Sequence, residues 1–180
     1  MSPRSSGQTA LTLGAAACYP ASMPFRNNVT RWLEARGIAY TVHEFPAEKY
    51  SAEETAALLG APEDHVYKTL VVLREDKGKK PILVMAPAGR EISLKTLAAS
   101  LGEKKKLRMA TQAEAEALTR LQVGGISALA LLNKGFEICL DRAALGLTHL
   151  HLSAGQRGAN LRLQVTDLIA ATHARLVDTV

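Results

Sequence analysis

The sequence predicts a single α+β domain, with a mixed sheet and helices packed on it. Three observations lead there. The chain has 180 residues, enough for one domain with a sizeable core. Capped helix-like segments are interspersed with β-branched and alternating segments. The two kinds do not follow strict βα alternation, which excludes an all-parallel sheet and favours a mixed one.

The elements follow in order. "NNVTRWLEARG" predicts a helix with Asn27 or Asn28 as its cap and Gly37 as its stop. "AYTVHEF" alternates like a strand. "SAEETAALLG" is a second helix, because Ser51 and Glu54 have capping-box spacing and Gly60 ends it. Thr69 to Arg74 read as a buried strand, with Lys68 at its mouth. The turn "EDKGKK" leads into the strand "PILVMA". "SLKTLAASLG", capped by Ser93, and "TQAEAEALTR", boxed by Thr111 and Glu114, are two more helices. "LALL", "FEICLD", "THLHLS" and "NLRLQV" read as strands. A short helix from Thr166 and a closing "ARLVD" complete the domain.

Residues 1–24 differ from the rest, being rich in Ser, Ala, Gly and Pro and nearly free of charge. They are expected to be a disordered leader or an over-long start with the native one at Met23, so the domain runs over 25–180. Arg4, a short apolar run and "AAAC" make a poor signal peptide. No stretch approaches the ~18 uninterrupted apolar residues of a membrane span. Two cysteines, Cys18 and Cys139, are too few for a disulfide framework and suit the reducing cytosol. The net charge of +5 fits an anionic partner such as nucleic acid, and equally plain solubility.

No GxSxG elbow, HExxH pair, Walker loop or dinucleotide fingerprint occurs. His149 and His151 share a strand face, yet a third metal ligand is missing, so no metal and no cofactor are expected. Cys139 lies in an apolar strand and reads as a small buried hydrophobe. Four features carry more. Lys68 is a cation beside a strand that should be buried. "VGGIS", residues 123–127, combines paired glycines with backbone N–H groups able to meet an oxyanion, although a plain loop has the same pattern. "SAGQRGAN", residues 153–160, sets Arg157 among turn residues. "GEKKKLRM" gathers Lys104, Lys105, Lys106 and Arg108, which suits phosphate contact or a solvated face.

Taken in order, "VYKTLVV", "SLKTLAASLGEKK", "VGGIS" and "SAGQRG" resemble the YbaK/EbsC family from about residue 27 to the C-terminus. These are free-standing aminoacyl-tRNA deacylases related to the editing domain of bacterial prolyl-tRNA synthetases. The resemblance implies an α+β domain with a mostly antiparallel, partly barrel-like sheet. It implies removal of a wrongly attached small amino acid, typically cysteine, from proline tRNA. The implied partners are mischarged tRNA and, as a second, prolyl-tRNA synthetase. The implied site has Lys68 and Gly125 at its centre. Phe45, Gly124, Ser127, Ser153, Gly155, Arg157 and Asn160 are the implied substrate contacts. In this branch the substrate's own thiol attacks, so no enzymic nucleophile is needed.

The chain departs from the family pattern at three positions. Phe45 replaces a tyrosine, Asn160 an aspartate and Ala128 a proline. Tyr50 is near enough in sequence to restore the missing phenol. Water-driven hydrolysis of an alanyl or seryl ester, or a silent tRNA- or synthetase-binding module, are the alternatives these changes leave open.

Overall fold

A computed structural model describes residues 24–76 and 78–180. The leader expected at residues 1–24, with Arg4 and Cys18, lies outside the described residues but for Pro24. Five helices are present among them: α1 (Asn28–Glu34), α2 (Ala52–Leu59), α3 (Leu94–Leu101), α4 (Gln112–Thr119) and α5 (Val165–Thr172). Eight strands accompany them: β1 (Tyr40–Glu44), β2 (Tyr67–Arg74), β3 (Ile82–Pro87), β4 (Leu107–Met109), β5 (Glu137–Asp141), β6 (His149–Ser153), β7 (Ala159–Gln164) and β8 (Arg175–Val177).

Local chemistry starts and stops the helices where the sequence says. The Asn27 side chain accepts from the N–H groups of Val29 and Thr30. Ser51 and Thr111 each form a reciprocal box with the glutamate three residues on. Gly60 and Gly102 close α2 and α3 in the left-handed conformation, which glycine adopts without a Cβ clash.

The strands form two sheets rather than one. Their orders are β1-β7-β6 and β4-β2-β3-β5-β8. Four pairings are antiparallel, and β3–β5 and β5–β8 are parallel. Neither order closes on itself. A parallel bridge between Val66 and His151 joins the two sheets.

Burial explains the layering. β3 is buried at every position, so it packs on both faces. Leu83 and Met85 join Leu150, Leu152, Leu161 and Leu163 of the smaller sheet in the main core. Ile82, Val84 and Ala86 point the other way, onto Leu97 and Leu101 of α3. The order of layers is therefore α3, five-stranded sheet, three-stranded sheet. Two-sided burial makes "PILVMA" read as an unbroken apolar run.

Some expectations fail for identifiable reasons. "LALL" is a 3₁₀ turn, Ala128–Leu131, because a short apolar run carries no period that separates strand from turn. β4 sits inside the lysine run and was not expected as a strand. It is a three-residue edge with one buried side chain, so it has no alternation to detect. β2 begins at Tyr67, which places Lys68 within the strand opposite Ala86 rather than at its mouth.

Leu83 fills the layer between the two sheets and is fully buried. Leu83→Ala should lower unfolding stability by about 2–5 kcal/mol, the usual cost of an unfilled leucine site. Urea unfolding followed by circular dichroism checks this.

Candidate active site

A cleft of about 250 Å³ opens where β2 begins. Four consecutive residues, Tyr67 to Leu70, line it, because β4 pairs only with Val72–Arg74 and leaves this edge uncovered. Tyr50 and the first turn of α2 make one wall, Val123, Gly124 and Ile126 another, and Ser153 and Asn160 the third. No Asp, Glu, His or Cys is among the lining side chains.

Lys68 is the single Lys, Arg, His, Asp or Glu in that lining. It is half-buried and forms no ion pair with a described residue. Burial holds its ammonium below the usual lysine range, against a weaker opposing pull from Glu91. A partly desolvated cation in a small cleft with no acid in its lining is favoured further by a ligand that brings negative charge.

Around it stand polar atoms with spare capacity. Asn160 is 7% exposed, and its Oδ1 has no partner among the described residues. Thr69 Oγ1 is likewise buried and without a described partner. Ser153 Oγ accepts from Gly155 N–H at 3.2 Å and keeps its own proton to donate.

The nine residues expected at the site are thus only partly brought together. Lys68, Gly124, Ser153 and Asn160 line the cleft. Gly125 does not: a Cβ there would sit 2.8 Å from Arg157 N and 2.9 Å from Gln156 C and Cα. Its N–H donates to Gln122 O at 2.8 Å and is not free for an oxyanion. Gly125 is a point of backbone contact. Arg157 is a brace, its Nε donating to Val123 O at 2.7 Å with the side chain laid against Gly124. Ser127 is fully buried with its Oγ unpartnered among the described residues, and it is not part of the cleft lining. Gly155 turns with φ +94 toward Val29 and Ala130, on another face.

Phe45 packs behind the cleft wall, with Tyr50 edge-on to it at 5.5 Å between ring centroids. Tyr50 lines the cleft where Phe45 does not. Thr69 and the first turn of α2 escaped the sequence reading. Their signals, a threonine in an apolar strand and an ordinary capping box, are too common to single out. Tyr67 is buried in the main core, as a packing residue would be. Cys139 is fully buried, and burial pushes its thiol up to about 12, so it is a hydrophobe rather than a nucleophile. Among the described residues no group of three or more His, Cys, Asp or Glu is placed to hold a metal ion.

One face of the three-stranded sheet is polar and leads away from the cleft. His43 lies opposite Asn160, and His151 opposite Arg162. The His43 and His151 rings are 5.6 Å apart. Burial first, then the nearby His43, Arg162, His65 and His149, push His151 down to about 4.

The aminoacyl-tRNA editing domain model matches residues 46–171, more than half of the chain. The chain belongs to that family. One relative is "Putative Cys-tRNA(Pro)/Cys-tRNA(Cys) deacylase EbsC" of Enterococcus faecalis, 29% identical over 155 residues, covering 85% of this chain and 92% of EbsC. Another is the proline–tRNA ligase of Thermodesulfovibrio yellowstonii, 31% identical over 103 residues, covering 57% of this chain but only 18% of the ligase. A crystal structure described as "a putative trans-editing enzyme for prolyl tRNA synthetase" superposes with a TM-score of 0.71 at 27% identity, covering 86% of this chain and 98% of that one. A hypothetical protein of known structure reaches 0.75 at 28% identity, covering 84% and 97%.

Gly125→Ala should force the loop off the Gln156–Arg157 backbone. Expected are a lower melting temperature and loss of whatever the cleft binds, seen in a thermal melt and a ligand titration. For His151 the sign is set by linkage. The unfolded histidine titrates near 6.5 and the folded one near 4, so the unfolded chain binds the extra proton between them. Stability should rise with pH across that window and level off above it, and His151→Asn should flatten the rise. Melts from pH 4 to 7 read both.

Proposed function

We propose that the protein is a trans-editing deacylase that removes a wrongly attached small amino acid from charged tRNA, with cysteine on proline tRNA as its main substrate. The observation that carries this is the cleft of Lys68, Gly124, Ser153 and Asn160, with no acid, histidine or thiol in its lining. An aminoacyl ester already has a good leaving group in the ribose hydroxyl. Such a site needs to hold the ester, steady the developing oxyanion and exclude larger side chains.

Lys68 serves as a point charge that orients the terminal adenosine and its phosphate. The Gly124 N–H, with φ +94 at that residue, is the loop donor for the oxyanion, a role worth roughly 2.7–4 kcal/mol. Ser153 and the Asn160 amide hold the amino acid. For a cysteinyl ester the substrate sulfur attacks its own carbonyl, the ester C–O bond breaks, and the thiol proton passes to the ribose oxygen. Size alone separates substrates by only about 1–3 kcal/mol per methylene, so the thiol supplies the sharper filter. The domain is residues 25–180, and prolyl-tRNA synthetase is the partner that would hand over the tRNA.

A panel of mischarged tRNAs tests the reading by the rate of ester loss. Cysteinyl ester should be cleaved fastest, with alanyl and seryl esters slow. Comparable cleavage of all three would point to attack by water. Tight tRNA binding with no cleavage would mean a silent binding module, and no acceleration on any ester would end the proposal. Lys68→Ala should lower the rate by about 10²-fold or more while hardly changing the melting temperature. It removes a desolvated cation that no described carboxylate pairs with.

A further inference from the structure

The lysine run absorbed by neither the cleft nor the core occupies the other end of β2. Arg74 closes that strand six residues after Lys68, roughly 20 Å away at about 3.3 Å per residue. Its side chain is only 6% exposed and ties three segments together. Nε donates to Glu103 at 2.7 Å, and the two terminal nitrogens reach the Lys80 carbonyl and the Glu137 carboxylate. Glu103 also accepts from Lys79 at 2.9 Å. The β2–β3 turn and the α3–β4 loop are therefore clamped side by side.

Between them is a recess of about 260 Å³, walled by Lys79, Lys104, Lys105 and Lys106 with Arg74 and Glu103 beneath. Asp76 is at its rim and is engaged by Gly78 N–H at 3.1 Å. The lining has five cations against two carboxylates, and Glu103 is already shared by Arg74 and Lys79. Lys104, Lys105 and Lys106 are exposed and make no ion pair with a described residue.

We infer that this clamped lysine edge is a second, phosphate-binding surface that grips the body of the RNA whose aminoacylated end enters the cleft. The inference rests on the function proposed above for the cleft, and adds where the rest of the substrate goes. Compact ammonium groups suit phosphates read as charge without sequence. A short aminoacyl nucleoside in the cleft cannot span to the recess, whereas a polynucleotide can. Scarce aromatics fit backbone contact better than base stacking.

The experiment compares wild type with Lys104→Gln/Lys105→Gln/Lys106→Gln on two substrates. One is full-length charged tRNA; the other is the same aminoacyl ester on adenosine alone. Affinity for uncharged tRNA is also measured from 50 to 300 mM salt. The triple variant should bind tRNA at least about tenfold more weakly at low salt. The slope of log affinity against log salt should shrink by about 2–3, since each lost contact removes roughly 0.7–0.9. KM for charged tRNA should rise while turnover of the adenosine ester stays at the wild-type rate. An unchanged salt slope and tRNA affinity would overturn the inference and leave the lysines as a solvated face. If wild type cleaves no ester, the deacylase reading fails, yet the tRNA salt slopes still decide whether this edge binds RNA. Lys105→Glu alone repeats the slope measurement should the triple variant melt early.

Discussion

The cleft exists because two stretches of chain, about thirty residues apart, touch through their backbones. Gly125 lies flat on the Gln156–Arg157 peptide, closer than any Cβ would allow. Arg157 then reaches back to the Val123 carbonyl and covers Gly124. This contact sets the distance between the loop that offers Gly124 and the strands that carry Ser153 and Asn160. Widening it by one carbon would move one wall of the site against the other. A glycine that touches no ligand can therefore matter as much to the site as one that does.

The second constraint is the two-sided burial of β3. It forces β2 to run alongside, and it forces Lys68 into a strand whose later residues are core. The lysine is tolerated because β4 stops short and leaves that edge open. The same strand ends in Arg74, a buried cation whose acidic partners surround it. One strand thus presents an unpaired charge at its start and a fully engaged one at its finish. The first suits a ligand's negative charge; the second holds loops in place. Both follow from how carboxylates are distributed about a single β-strand.

Departures from the family pattern take on a definite geometry. Phe45 lies behind the wall, with Tyr50 between it and the cleft. Asn160 keeps a buried oxygen with no partner among the described residues. Ala128 is fully buried at the start of a 3₁₀ turn, away from the cleft lining.

Much of this was legible in the residues because its causes are local. A capping oxygen, a left-handed glycine and an apolar run each act within a few positions, so helix starts, helix stops and the buried β3 could be read directly. The ordered motifs pointed to the family, and four of the residues they singled out, Lys68, Gly124, Ser153 and Asn160, line one cleft. Sequence could not separate residues that line the cleft from those that build it. Gly125, Arg157, Ser127 and Phe45 belong to the same motifs, yet face backbone, core or a neighbouring ring. Nor could it show two sheets, the short β4 edge or the clamp at Arg74. Those depend on which distant segments meet across the core, and side-chain direction toward a cleft is set only once the layers have packed.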